Sequence, residues 1–579
     1  MMRALAAALV TLWLAVPALA QNRSPERSSG WTAKTAVTGK RFMVAAANPL
    51  AVDAGYAILR QGGSAVDAAI AVQLVLGLVE PQSSGLGGGA FMLVHDAKRN
   101  KLVAYDGRET APAAAKPDRF LGDDGAPLQF HDAVIGGRSV GVPGVVALLA
   151  QTHERHGRLP WAALFARAIE LAENGFQVSE RLHAMVATES HLEEPRARAY
   201  FHDFLGNPYA VGRVMRNPAY AATLRKLATG GARAFYEGDV ARDIVATVQS
   251  HPTNPGDMTL ADLAGYRIKV REPVCGAYRA YRVCGMPLPS SGGPTLLQML
   301  GMLERYDLGA MQPASLWSVH FISEAGRLAY ADRDVYMADP DFYTPPAGLL
   351  DRGYLAERSR LIRADASMGR AAAGVPPERA AAGKVAYGEG AALELPSTSH
   401  ISVVDARGNA VAMTTTIEDG FGSRLMTEGG FLLNTELTDF SFAPTSDGKP
   451  VANRVEGGKR PRASMAPTIV YDRQGRVLMV AGSPGGPAII NFVAKAVVGV
   501  LDWGLDPQAA VALPNFGSRN GPTELEKDTP AAALAPKLQA LGHMTAVLEQ
   551  PSGLHVIVRT NAGWIGGADP RREGTVRGD

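Results

Sequence analysis

Residues 394–405 read "ELPSTSHISVVD". Ser397, Thr398 and Ser399 set three hydroxyls in a row, just ahead of an alternating run, His400–Asp405, that predicts a strand. A hydroxyl acts as a nucleophile only when it is held rigidly beside a base. A Ser-Thr-Ser knot at a strand mouth is therefore a candidate nucleophile, although such residues more commonly form a loop meeting a sheet. Two other motifs compete with it. "GLGGGA" (85–90) matches a dinucleotide-binding turn, yet it follows a helical stretch and precedes a hairpin, the reverse of the order that turn requires. "GRSVG" (137–141) matches a nucleophile elbow around Ser139. However, Pro143-Gly144 fall where its helix should begin, and no Asp…His pair stands out downstream. The twelve histidines show no metal-ligand spacing, and neither a metal nor a cofactor is expected.

The elements that must hold such a site can be read around it. "FMVAAANPLAVDAGYAILRQGG" predicts a strand and then a helix, capped by Asn48, with Pro49 in its first turn and Gly62-Gly63 at its end. Ser64 and Asp67 start a second, mostly apolar helix that stops before Pro81. A glycine turn and a hairpin follow. From about 140 to 390 the pattern is chiefly helical, and from 400 strands return. Residues 400–405 pair with 410–416, 466–472 with 476–481, and 554–559 with 563–566. Antiparallel hairpins in both halves, rather than β-α-β units, predict two stacked sheets with helices outside.

The chain has 579 residues, 46% of them apolar, enough for a large core. Its 58 Lys+Arg against 56 Asp+Glu leave a net charge of +2 with no basic block, so nucleic acid is not an expected partner. Met1-Met2-Arg3, the apolar stretch "ALAAALVTLWLAVPALA" and its Ala-x-Ala end read as a secretory signal cleaved after Ala20. No later stretch is long and apolar enough to span a bilayer. The expectation is an exported, periplasmic protein, free of the membrane once the signal is removed. Cys275 and Cys284 lie in "VCGAYRAYRVCG" without histidine partners, which does not suit zinc. With Arg279-Ala280 as a two-residue turn, they stand opposite each other at a non-hydrogen-bonded pair, where side chains come closest. A Cys275–Cys284 disulfide is expected in an oxidising compartment.

Several segments resemble one family, in the same order, from about residue 40 to 575. "ELPSTSHISVVDARGNAVAMTTTIEDGFGS", "GFLLNTELTDFS", "GKRPRASMAPTIV" and "AGSPGGPAII" are similar to the small subunit of γ-glutamyltransferases (γ-glutamyltranspeptidases, glutathione hydrolases). "EPQSSGLGGGAFML", "YDGRETAP", "GVPG", "YRAYRVCGMPLPSSGG" and "GADPRREG" resemble its other segments. The resemblance implies the αββα four-layer sandwich of N-terminal nucleophile hydrolases, an α+β fold of stacked antiparallel sheets. It also implies self-cleavage between Ser397 and Thr398, after a signal at 1–20, into a 21–397 large subunit and a 398–579 catalytic subunit that remain together as a heterodimer. Thr398 would be the nucleophile and its freed α-amine the general base, with a pKa of about 7.7–8. Thr416 would orient it, and the backbone amides of Gly485 and Gly486 would form the oxyanion hole. Arg108 and Ser464 would bind the donor's α-carboxylate, and Asp439, Glu436 and Glu418 its α-ammonium. The implied partners are glutathione or another γ-glutamyl donor, and water or an amino acid or peptide as acceptor.

Three departures mark this chain. Ala463 stands where the family usually has the first of two serines, and Glu418 where many members have Asn. The stretch from Asp439 to Lys459, which forms a Tyr-bearing lid in some members, is short and has no tyrosine. Two alternatives keep the machinery but change the donor: a glutaryl (cephalosporin-type) acylase and a poly-γ-glutamate depolymerase. A third, from another class, is a secreted binding protein that is never cut.

Overall fold

The computed structural model describes residues 30–377, 387–390, 392 and 397–579. The signal segment and Pro396 lie outside the described residues.

Alternation along the strands builds the layers. In the strand Met43–Ala46, Val44 and Ala46 pack into one apolar cluster while Met43 and Ala45 pack into another. Successive side chains of a strand leave opposite faces of the sheet. The first sheet runs Thr575–Gly578, Met43–Ala46, Ser397–Val404, Ala410–Glu418, Gly89–Asp96, Lys101–Gly107, Lys269–Arg271, with every neighbouring pair antiparallel. The second runs Val37–Gly39, Gly563–Ala568, His555–Thr560, Val477–Gly482, Thr468–Tyr471, Tyr281–Gly285, Val274–Tyr278, also antiparallel throughout. The two stack face to face, and Ser402 Oγ donates to the His555 carbonyl oxygen across the gap at 3.1 Å.

Helices cover both outer faces. Pro49–Arg60 and Ala65–Val79 pack on the first sheet, and Gly292–Leu303, Leu316–Tyr336 and Ile489–Leu501 on the second. The result is the αββα sandwich. Ala65–Val79 is buried all round, which fits its lack of a polar face. Ser64 and Asp67 cap its start reciprocally, and it ends at Glu80, ahead of Pro81.

One reading of the sequence changes. The strand starts at Ser397, so the three hydroxyls belong to the strand itself rather than to a turn before it. The tract from 140 to 390 is chiefly helical, and the expected hairpin within it, Val274–Tyr278/Tyr281–Gly285, forms the edge of the second sheet. Cys275 faces Cys284 in that hairpin, and the two are bonded.

Candidate active site

Pairing between Ser397–Val404 and Ala410–Glu418 is broken by an irregularity between Ser397 and Thr398. Such a bulge re-aims the side chains on either side of it. Ser397 Oγ donates to the Gln82 carbonyl oxygen at 2.6 Å, while Thr398 Oγ1 donates to Thr416 Oγ1 at 3.4 Å. Thr416 Oγ1 in turn donates to the Ser397 carbonyl oxygen at 2.6 Å and accepts the Glu418 N–H at 2.8 Å. One threonine therefore links the hydroxyl at 398 to the carbonyl immediately before it. Arg572, itself buried, places Nη1 3.5 Å from the Thr398 carbonyl oxygen, and burial lowers its pKa to about 9.

Glycines make this close approach possible. A Cβ on Gly88 would lie 2.1 Å from the Thr416 carbonyl oxygen, and one on Gly89 would lie 2.2 Å from Glu109 Oε2. Gly87, Gly88 and Gly89 of the run "GLGGGA" are thus a packing requirement of the central strands. Ser139, the rival nucleophile, is buried and donates to the Val134 carbonyl oxygen at 2.6 Å.

Thr398 and Thr416 line a narrow cleft with Arg108, Glu418, Glu436, Asp439, Ser464 and Gly486. Gly485 (φ +135°) and Gly486 (φ +54°) both take left-handed backbone and open the 3-10 turn Gly486–Ala488 that leads into the helix Ile489–Leu501, and Gly486 lines the cleft. Ala463, Met465 and Ile489 complete the lining. Larger clefts beside Ser64 and beside Cys275 bring none of these groups together.

The charged groups form one buried cluster. Arg108 pairs through Nη1 with Glu436 and through Nη2 with Asp439, and Nη2 also donates to the Arg462 carbonyl oxygen at 2.9 Å. Burial opposes the charge on Arg108, but Glu436 and Asp439 outweigh it and raise the guanidinium further. Burial pushes Glu436 well above the usual carboxylate range against the pull of Arg108, and pushes the adjoining Glu109 up to about 8. Glu418 has φ +76°, a strained setting for a residue with a Cβ. Beyond Asp439, the lid region carries a short hairpin of Thr445–Ser446 and Lys449–Pro450.

One group among the described residues has metal-ligand character: His320, Glu324 and His543, all buried. Its hydrogen bonds close without an ion. His320 Nε2 donates to the Arg363 carbonyl oxygen at 2.7 Å, which leaves Nδ1 to accept from His543 Nε2 at 2.7 Å. His543 Nδ1 accepts from Thr523 Oγ1 at 2.7 Å, and burial lowers the pKa of His543 to about 4. Arg327 Nε donates to Glu324 Oε1 at 2.9 Å, so a guanidinium already neutralises the only carboxylate of the group.

The stacked antiparallel sheets between two helical layers, with a hydroxyl at the start of a central strand linked through Thr416 to its own preceding carbonyl, are those of an N-terminal nucleophile hydrolase. A family model described as Gamma-glutamyltranspeptidase matches residues 51–578, and the chain belongs to that family. It is 37% identical over 543 residues to the glutathione hydrolase proenzyme of Bacillus subtilis (strain 168), covering 91% of this chain and 89% of that protein. It is 35% identical over 547 residues to the acylase ACY 1 proenzyme of Pseudomonas sp. (strain V22), covering 92% and 93%. Among solved structures, the cephalosporin acylase of Bacillus halodurans superposes with a TM-score of 0.81 at 27% identity, covering 95% of this chain and 97% of that one.

The cleft also has neighbours that the sequence did not single out. Glu109 adjoins Arg108 in sequence and lies against Glu436. Arg333 and Arg572 arrive from remote segments; Arg333 falls in no quoted motif, and Arg572 lies in "GADPRREG", a segment of the resemblance to which no site role was given.

Proposed function

We propose that the chain cuts itself between Ser397 and Thr398 and then transfers or hydrolyses γ-glutamyl groups through an ester on Thr398. The observation that carries this is the linked set Thr398 Oγ1, Thr416 Oγ1 and Ser397 carbonyl oxygen, in the same cleft as Arg108 and the acids.

In the uncut chain, Thr398 Oγ1 attacks the Ser397 carbonyl carbon while Thr416 donates to the oxygen that becomes negative. The hydroxyl proton passes to the amide nitrogen as the C–N bond breaks, the acyl group moves to oxygen, and water hydrolyses the ester. The products are a Ser397 carboxylate and a free α-amine on Thr398. That amine, near neutrality in pKa, takes the hydroxyl proton as Thr398 Oγ1 attacks the γ-carbonyl of the donor. The amides of Gly485 and Gly486 receive the oxyanion, and the amine returns its proton to the departing amino group. Water or an amino acid then resolves the γ-glutamyl ester.

The head group of the donor fits the charges. A γ-glutamyl head carries one carboxylate and one ammonium, so it can enter the Arg108–Glu436–Asp439 cluster, carboxylate to Arg108 and ammonium to the acids, without changing the net charge. A glutaryl donor brings only a carboxylate, which must compete with the two acids for Arg108; truncating one member of a buried charge set costs about 2–5 kcal/mol. The likeness to proteins named as acylases keeps glutaryl transfer as the second reading. Glutathione, γ-glutamyl peptides or poly-γ-glutamate could supply the donor, and the short lid hairpin favours water as acceptor. The heterodimer and export to the periplasm belong to the same proposal.

Intact mass and turnover of matched γ-glutamyl and glutaryl anilides test it. Two chains, a γ-glutamyl preference of at least about tenfold in kcat/KM, and one inert, uncut chain for Thr398→Ala are expected; tenfold corresponds to ~1.4 kcal/mol. One intact chain without activity would favour the binding-protein alternative, and a glutaryl preference the acylase.

A further inference from the structure

Ser464 Oγ, on the carboxylate side of the cleft, accepts a hydrogen bond from Arg333 Nη2 at 2.7 Å. Arg333 lies on the helix Leu316–Tyr336, and its Nε donates to Ser291 Oγ at 2.9 Å. Ser291 Oγ donates to the Ala463 carbonyl oxygen at 2.7 Å. The guanidinium thus lies across the back of the Ala463-Ser464 peptide and is held there by Asp334, 2.8 Å from Nη1. Arg333 and Ser464 are 3% and 4% exposed, so water does not replace this contact.

A guanidinium can only donate. Its bond to Ser464 therefore takes an acceptor site of the hydroxyl and turns the single hydroxyl proton towards some other acceptor. A charge-assisted bond is about twice as strong as a neutral one and polarises the O–H it meets. Ala463, the neighbouring position, offers no hydroxyl at all.

We propose that Arg333 is a positioning residue that sets donor selectivity: it orients and polarises Ser464 as the hydroxyl donor to the substrate carboxylate, in a chain whose other hydroxyl at this subsite is replaced by Ala463. This rests on the reading of the cleft as a site for a carboxylate-bearing acyl group.

Three anilides separate the roles. γ-Glutamyl carries the carboxylate and the ammonium, glutaryl the carboxylate alone, and 4-aminobutyryl the ammonium alone. Arg333→Met, checked for cleavage into two chains, should lower kcat/KM about tenfold or more on γ-glutamyl and glutaryl anilides, chiefly through KM. On 4-aminobutyryl anilide the change should stay within about twofold. Adding Ala463→Ser should recover part of the loss. In a Ser464→Ala background, Arg333→Met should have little further effect, since the two share one interaction. Arg333→Lys serves if the methionine variant fails to fold or cut, with a smaller loss of the same pattern.

An equal fall on all three donors would show a structural role and overturn the inference, as would no change on the carboxylated pair. Failure of the parent enzyme on γ-glutamyl anilide would instead refute the function proposed above, and the glutaryl and 4-aminobutyryl pair would still decide the role of Arg333.

Discussion

Replacing Thr416 with valine keeps its shape but deletes the hydroxyl that donates to the Ser397 carbonyl oxygen. Loss of one such donor from an oxyanion site typically costs about 10²–10³ in rate. Self-cleavage of Thr416→Val, followed on denaturing gels, should slow by about a hundredfold, and cleavage at the parent rate would dismiss the role assigned to Thr416. Two residues away, Glu418 holds φ +76°. Left-handed backbone costs a residue with a Cβ about 1–3 kcal/mol, and Asn tolerates it better than Glu. Glu418→Asn should therefore raise the melting temperature by about 1–2 °C while weakening the hold on the donor's ammonium. A lower melting temperature would mean that the carboxylate contributes more than its backbone setting costs.

The glycine turn before the strand Gly89–Asp96 shows how an element can carry a residue's chemistry. Gly88→Ala would drive a Cβ to 2.1 Å from the Thr416 carbonyl oxygen, whereas Gly85→Ala would meet nothing nearer than 4.0 Å. The first variant should fail to cut, because the strand bearing Thr416 must shift; the second should cut normally. Equal behaviour of the pair would refute the packing account of this run. Much at this level was legible beforehand. The cap at Ser64 and Asp67, the hairpin at Arg407–Asn409 and the opposed cysteines follow from local spacing, which short-range physics decides. The nucleophile needed the ordered family segments, since a Ser-Thr-Ser triplet alone is ordinary. What stayed hidden depends on long-range packing. Arg333 reaches Ser464 from a helix more than a hundred residues earlier, the strain at Glu418 occurs in a residue with no turn signature, and the pairing of Arg108 with both Glu436 and Asp439 exists only once the sandwich is closed.

For the whole molecule, buried histidines set the response to acid. Burial lowers His95 and His543 to about 4 and His555 to about 3, and takes His400 well below its usual value. In the unfolded chain each imidazole binds a proton below about 6.5. The stability present above that pH is therefore lost as pH falls from 6.5 towards 4. Glu80 and Glu109, raised to about 8 by burial, act in the opposite direction: their burial costs least below about 4.5 and most above 8. Glu436, which burial raises well above the usual carboxylate range, adds to that opposing effect. The four histidines outweigh these three glutamates, so the melting temperature should drop by several degrees between pH 6.5 and 4, and a flat or rising profile would contradict the assignment of neutral buried imidazoles. The order of the first sheet has one more consequence. Ser397–Val404 and Ala410–Glu418 lie between Met43–Ala46 and Gly89–Asp96, so residues on either side of the cut are laced together strand by strand. While the chain is whole, these partners meet at an effective concentration on the order of millimolar. Once cut and unfolded, they would have to find each other at whatever concentration the solution provides. With the proposed cut, the bond before Thr398 acts as a disposable tether, and the cut enzyme would inherit a shape it could regain only by a second-order encounter: recovery from denaturant would depend on dilution for the cut form but not for Thr398→Ala.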